Sequence, residues 1–407
     1  MSHLAGVGQD GVRRVNLSAM LTRVHLSGPT SRAALTAELG LNRSTIGGLS
    51  AQLETLELVR SSVPPARDRT GRPSHVLTAR EDVAVLAVSL DVDWLTVALV
   101  GLGGRILDRR DRRHERGGHA VGAVVESVAL LCEELLAEEL AVGEGSVAIR
   151  CLGVGASLPG VIRAEDGQVQ FAPNLGWVDE PFTALLTARL GRPVRIGNNA
   201  DLGVMAEHLR GAAVGVRDVV YLSGGVGIGG GFLLAGQPLR GSSGYGGEVG
   251  HLSLDPVAGE PCRCGSRGCW ETKIGENQLL RAVGRLPGGG PEAVAEVMAR
   301  ASAGDPTTRR AVAEVAFWIG IGLGAVVNLC NPSVIVVNGV LAGVWQALPE
   351  LVTAALAGAS LAAPRAEVDI RVSVLGNDSS LIGAAELAFE PLLADPAAHA
   401  PGPGRLI

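Results

Sequence analysis

Residues 247–271 read GEVGHLSLDPVAGEPCRCGSRGCWE. Within this stretch His251, Cys262, Cys264 and Cys269 bring one imidazole and three thiols into nineteen positions. They make a complete tetrahedral donor set for zinc and leave no open position for a catalytic water. The implied cofactor is a structural zinc ion, pinning a loop that shows neither helical nor strand periodicity. Cys132, Cys151 and Cys330 complete the six cysteines of the chain. The leading residues, MSHLAGVGQDGVRR, contain no apolar core of a secretory signal. No run of residues reads as a transmembrane span. The expectation is a cytoplasmic protein without membrane association, where clustered thiols favour metal over disulfide.

Around this loop the pattern is that of an α/β body. Val85–Leu90 and Leu95–Val100 read as paired strands. A helix from Val121 to Leu140 follows, with Val121, Val124, Val128, Leu131 and Leu135 on one face. Val147–Val154, Val219–Ser223, Val334–Val337 and Ile370–Val374 are further strand candidates. Strands alternating with helices over residues 81–393, with a second set beyond residue 200, imply two lobes and a ligand cleft between them. The last residues, 394–407, are rich in Ala, Pro and Gly and read as a disordered tail.

Residues 1–80 differ in charge. They hold ten Arg against five acidic residues, a net of +5, whereas the whole chain is −6 and the remainder therefore −11. A basic head on an acidic body suits a nucleic-acid partner. Leu17, Leu21 and Val24 fall at helical spacing. After Gly28-Pro29, Thr30 and Ser31 are possible caps for a second helix burying Leu35 and Leu39. Gly40 ends that helix. Asn42 or Ser44 starts a third, with Ile46, Leu49, Leu53 and Leu56 on its apolar face. The order is that of an all-α helix-turn-helix unit, followed by a hairpin wing with Arg67, Arg69 and Arg72 at or near its tip. The third helix would enter the major groove of double-stranded DNA with Arg43, Ser44 and Thr45 against base edges. Arg69 and Arg72 would reach phosphates or a minor groove. Gly47-Gly48 inside the recognition helix costs on the order of 1 kcal/mol per glycine against alanine.

The body resembles the ROK family (repressor, open reading frame, kinase). The signature residues are Glu248–His251 and Cys262–Glu271, and the likeness extends over roughly residues 83–390. It includes GVGASLPGVI at 153–162, APNLGW at 172–177, NNAD at 198–201, NPSVIVVNG at 331–339 and IGAAELA at 382–388. The resemblance implies a two-lobed, actin-like and ribonuclease-H-like fold. It also implies that Asn198, Asn199, Glu248, His251 and Glu271 contact a sugar, with Asn174 lining the same cleft. Members with a winged helix-turn-helix head are sugar-responsive repressors; those without one are sugar kinases.

Kinases of this family carry Asn-Asp-Ala-Asn around a carboxylate base, where this chain has Asn198-Asn199-Ala200-Asp201. Asn199 is an amide and cannot take a proton near neutral pH. Asp201, two positions on, is expected to face elsewhere. The first phosphate loop, Asp-x-Gly-Gly-Thr in kinases, reads Asp91-Val92-Asp93-Trp94-Leu95. The second keeps its glycines at Gly225, Gly227 and Gly229 but has Val226 for threonine, and Asn338-Gly339 replaces a Gly-Gly pair. The reading is therefore a non-enzymatic regulator whose partners are a DNA operator and a sugar or sugar-phosphate effector. It would act as a homo-oligomer, dimer or tetramer, on a palindromic site. The competing readings are an ATP-dependent sugar kinase fused to a DNA-binding head, and a regulator controlled by a protein partner.

Overall fold

A computed structural model describes residues 8–63, 74–114, 116–141 and 149–400 of the chain. Helix α1 (Gln9–Ser27) opens the head and stops at Gly28. The short strand β1 (Thr30–Ser31) leads into α2 (Arg32–Leu39), where the Ser31 hydroxyl accepts the Ala34 N–H at 3.1 Å. Gly40, with left-handed dihedrals, turns the chain into α3 (Arg43–Thr55). Asn42 caps that helix by accepting the Thr45 N–H at 2.8 Å. Strands β2 (Val59–Ser62) and β3 (Val76–Ala79) then pair antiparallel, with β1 on the other side of β3. The order matches the expected helix-turn-helix and hairpin. Arg67, Arg69 and Arg72 lie outside the described residues.

The first lobe starts with an antiparallel meander of β4 (Val83–Leu90), β5 (Trp94–Gly101) and β6 (Ile106–Arg113). Helix α4 (Val121–Ala141) crosses to β7 (Arg150–Leu158), which runs parallel to β4. A small sheet of β8 (Val161–Ile162), β9 (Val169–Ala172) and β10 (Trp177–Glu180) precedes α5 (Phe182–Leu190). Strand β11 (Val194–Asn198) then adds parallel to β7, giving the order β6-β5-β4-β7-β11.

Helix α6 (Asn199–Arg210) leads into the second lobe. There β12 (Val219–Gly224), β13 (Ile228–Leu234) and β14 (Gln237–Pro238) form another antiparallel meander. After the helices α7 (Glu271–Ile274), α8 (Glu276–Ala282), α9 (Gly290–Ser302) and α10 (Pro306–Cys330), β15 (Val334–Gly339) joins parallel to β12. Helices α11 (Val340–Ala347), α12 (Pro349–Ala359) and α13 (Ala362–Glu367) precede β16 (Asp369–Val372), parallel to β15. The sheet order is β14-β13-β12-β15-β16. Both sheets thus place their strands in the order third, second, first, fourth, fifth, and the expected two-lobed α/β body is what the structure shows. Helix α10 is apolar enough to cross a bilayer by composition; here Val312, Ile319, Leu323 and Val327 are buried in the second-lobe core.

Helix α14 (Ser379–Ala394) returns to the first lobe and lies across β4 and β7. A Cβ at Gly155 on β7 would collide with the Ala384 carbonyl oxygen, so the helix backbone sits directly on the strand. This explains one difference from the sequence reading. The strand expected at 147–154 runs instead from Arg150 to Leu158, through small residues that are poor strand formers. Helix packing selects them, not strand propensity.

Two boundaries also differ. The expected tail, 394–407, is ordered as far as Ala400: α14 ends at Ala394 and a single 3-10 turn, Pro396–His399, follows. Composition misled here because tertiary contacts hold the segment. The Ser18 hydroxyl donates to the Leu393 carbonyl at 2.6 Å, and Arg150 donates to the His399 carbonyl. Nor does residue 80 separate two cores. Leu17, Leu21 and Leu53 of the head share one buried cluster with Val85 and Val100 of the first sheet and Phe389 of α14.

At the base of the head a buried polar knot interrupts this apolar contact. His25 Nδ1 accepts the Gly103 N–H at 2.9 Å, which leaves Nε2 to donate to Glu386 at 2.9 Å. Arg210, the last residue of α6, donates to the other Glu386 oxygen at 2.7 Å and to the Gly103 carbonyl at 3.1 Å. Burial pushes the Glu386 carboxyl up, but His25 and Arg210 outweigh it and hold the group below the ordinary carboxylate range. Its stabilisation is therefore complete above pH about 4.3 and is lost as pH falls through the lower folded value. Glu386→Ala strands a buried Arg210, and denaturant unfolding is expected to show a loss of about 3–5 kcal/mol at pH 7. The variant should also lose this component of the acid limb.

Candidate ligand cleft, metal cluster and DNA-facing helix

The junction of β11 and α6 sets the first wall of the cleft. Asn198 Oδ1 caps α6 by accepting the Ala200 N–H at 2.7 Å, while its amide donates to the Gly160 carbonyl at 2.8 Å. Both ends of this side chain are thus engaged in shaping the turn. Asn199, the next residue, accepts the Ser157 hydroxyl at 2.6 Å. A carboxylate would accept the same bond; an amide does so without the capacity to take a proton. Asp201, expected to face elsewhere, lines one cavity together with Asn198 and Glu248.

The second wall comes from residues 248–271. Glu248 begins a 3-10 turn, Val249–His251, that brings its carboxylate into the field of His251 and Glu271. Burial raises the Glu248 carboxyl; His251 opposes that shift and Glu271 adds to it. Burial and the neighbouring Glu248 charge push Asp201 up to about 7, with Arg240 opposing. His251, Glu248 and Glu271 therefore stand together as the sequence implied. Asn174 lies across the cleft and accepts from Arg263 at 2.8 Å, so the 247–271 loop touches the first lobe.

The four expected metal donors converge. The ligand atoms of His251, Cys262, Cys264 and Cys269 all lie within 4.8 Å of one another. Zinc–sulfur bonds of about 2.3 Å place tetrahedral ligands roughly 3.8 Å apart. The Cys264 and Cys269 sulfurs are 3.7 Å apart, and Cys262 Sγ lies 3.6 Å from His251 Nδ1. The cluster therefore fits a tetrahedral metal ion, with His251 Nδ1 as donor and Nε2 left for the cleft. Glu271 Oε1 sits 3.1 Å from Cys262 Sγ, so this carboxylate borders both metal cluster and cleft. Trp270, fully buried, anchors the end of the loop and donates to the Trp318 carbonyl at 2.8 Å.

At the stretch Asp91–Leu95 an ion bridge stands that no sequence pattern foreshadows. Arg116 donates to Asp93 at 2.9 Å and, bidentately at 3.0 and 3.1 Å, to the buried Glu276 at the start of α8. Asp93 belongs to the first lobe and Glu276 to the second, so the bridge ties the lobes together. No spacing rule links three residues so far apart in sequence. Asn338 donates to the Tyr221 hydroxyl at 2.8 Å and to the Gly376 carbonyl at 2.9 Å, filling the place of the second glycine pair.

On the head, Arg43 and Ser44 are exposed, and Thr45 is half-buried. The Ser44 hydroxyl donates to Asn42 at 2.7 Å. Ile46, Leu49 and Leu53 point inward, whereas a Cβ added at Gly47 or Gly48 meets nothing within 4 Å. Packing therefore does not demand the two glycines. They strip the outer face of α3 of side chains, which lets another surface approach its backbone. Gly47→Ala is expected to stabilise the free protein by up to about 1 kcal/mol in thermal unfolding. For the metal cluster, elemental analysis should find one ion per chain. Cys269→Ser should lower both the metal content and the melting temperature, at about 1 °C per lost kcal/mol for a chain of this length.

Comparison with known proteins agrees with this geometry. The ROK family model matches residues 86–390. A xylose repressor from Caldicellulosiruptor bescii is 26% identical over 402 residues, covering 95% of this chain and 98% of that protein. A glucokinase from Streptomyces coelicolor is 30% identical but covers 66% of this chain and 87% of its own. Among solved structures, a ROK family transcriptional regulator described as a homologue of the E. coli MLC protein superposes with a TM-score of 0.76 at 24% identity. That match covers 94% of this chain and 97% of the other. With the family pattern spanning both lobes, the chain belongs to the ROK family.

Proposed function

We propose that this protein is a sugar-responsive, DNA-binding repressor of transcription that carries out no phosphoryl transfer. The observation that carries the reading is Asn199. The cleft keeps the carboxylates suited to sugar hydroxyls, Glu248 and Glu271, while the position of the proton-accepting base holds an amide bonded to Ser157. The Asp93–Arg116–Glu276 bridge supports it by placing two carboxylates where nucleotide phosphates would have to lie. The xylose repressor relatives extend over the head as well as the body, whereas the glucokinases match the body alone.

In this mechanism Asn199, Glu248, His251 and Glu271 bind the sugar, and Asn198 holds the turn that presents them. The metal is zinc, held by His251, Cys262, Cys264 and Cys269. When bound it supplies rigidity, since all four positions are protein donors. Helix α6 begins beside the sugar and ends at Arg210, in contact with Glu386 and His25 of the head junction. A ligand that prefers one placement of the lobes shifts the heads through this helix. The protein works in the cytoplasm as a symmetric oligomer, with α3 of each head in a major groove. Arg43, Ser44 and Thr45 read bases, and Arg69 and Arg72 grip the backbone.

Band-shift titration of operator DNA against sugars and sugar phosphates tests the reading. At least one should release the DNA, and release should be absent in Glu248→Gln. Arg43→Ala should weaken operator binding by about 1–3 kcal/mol, or roughly ten- to a hundredfold. Incubation with ATP and common hexoses should give no turnover. Sustained turnover by the unaltered chain would overturn the repressor reading in favour of a kinase.

A further inference from the structure

The cavity that Asn198 and Glu248 line holds about 620 Å³ and continues as a trough between α6 and α14, and the head helix α1 reaches its rim with Ser18 and Thr22. Its floor is one face of α6. Asp201, Met205 and Leu209 follow one another at four-residue spacing, a rise of about 12 Å and more than one sugar ring spans. The two ends differ in chemistry. Near Asp201 the walls are polar, with Glu248 and Arg240. Towards the head apolar side chains enter, Leu387 and Leu393 of α14 with Met205 and Leu209 of α6, beside Glu386 and Glu390.

Glu248 belongs to both spaces. On one side its carboxylate is in the field of His251 and Glu271, and on the other it acts on Asp201. Among the described residues no hydrogen bond reaches the carboxylate of either Asp201 or Glu248. Two acceptors without protein donors, the exposed Glu248 and the half-buried Asp201, stand at the mouth of this trough and are open to a ligand that brings hydroxyls to them. A free monosaccharide seated against His251 and Glu271 satisfies one side of Glu248 and leaves the trough empty.

We propose that the effector is a glycosidically extended sugar. One ring sits in the cleft at Glu248, His251 and Glu271, and the attached unit runs along α6 past Asp201 towards Ser18 and Thr22 of the head. The attached unit is a second sugar residue or an apolar aglycone, with hydroxyls near Asp201 and an apolar face on Met205 and Leu209. This rests on the reading of the cleft as a sugar site. It adds a direct contact between ligand and head.

Calorimetric titration of the full-length protein tests the idea with glucose and xylose, the disaccharides cellobiose, maltose and xylobiose, and the p-nitrophenyl glycosides of both sugars. An extended glycoside is expected to bind about tenfold or more tightly than its parent monosaccharide, a gain of the size one or two buried hydrogen bonds supply. Met205→Trp, which fills the trough, should abolish that advantage and leave monosaccharide binding within about twofold. Asp201→Asn, which keeps the volume, should reduce the advantage without touching the parent sugar. Disaccharide and aryl-glycoside arms show which attached unit the trough takes. Equal binding of monosaccharides and all extended forms would overturn the extension while the sugar reading stood. So would an advantage that both variants leave intact. No binding by any of these probes would overturn both.

Discussion

Helix α14 crosses α6 so closely that residue 383 has to be glycine: a Cβ there would run into the Leu202 carbonyl oxygen. That contact organises the molecule. Helix α6 lies against the second sheet through β12 and β13, and α14 lies against the first through β4 and β7. The crossing therefore joins the two lobes backbone to backbone. Helix α14 also packs against α1, so the head rests on the same element. Interiors this tightly packed do not deform smoothly; they shift as units. A helix that starts at the cleft and ends at the head is such a unit.

Electrostatics divides the cleft into regions with different tasks. At one end, Asp93, Arg116 and Glu276 compensate each other in a partly buried bridge, where breaking one partner leaves another uncompensated. In the middle, Glu248 is destabilised as a charge by burial and by Glu271. Asp201 beside it is pushed up to about 7 by burial and by the Glu248 charge. Nature tolerates such carboxyls where a ligand supplies the missing donors. The His251, Cys262, Cys264 and Cys269 cluster stands beside this region, on the loop that carries His251 and borders Glu271. A metal held there would let the loop keep its shape without secondary structure.

Much of this was legible beforehand. Periodic apolar residues located α1, α3, α4 and the central strands, because a helix or strand that buries one face must repeat apolar side chains at 3.6 or 2 residues. The four metal donors were legible because they fall within one loop, where spacing is nearly geometry. Asn199 was legible because substitution of a carboxylate by an amide is a change of chemistry at one position. The misreadings have a common cause. β7 looked to lie a few residues earlier than it does, and residues 394–400 looked like tail, because both are held by partners distant in sequence: Ala384 over Gly155, and Arg150 on His399.

What the amino-acid sequence determined by itself is therefore local: the helix-turn-helix order, the donor set at 251–269, the amide at 199 and the alternating α/β pattern. Each depends on side chains that are close in the chain or on the chemistry of a single residue. The tertiary structure alone decided the rest. It joined Asp93, Arg116 and Glu276 across the lobes, and His25, Arg210 and Glu386 at the foot of the head. It gave Asn198 the work of a helix cap, and it set Asp201 beside Glu248 in one cavity. These arrangements depend on where two sheets and one helix crossing bring distant residues together, and no spacing along the chain encodes that distance.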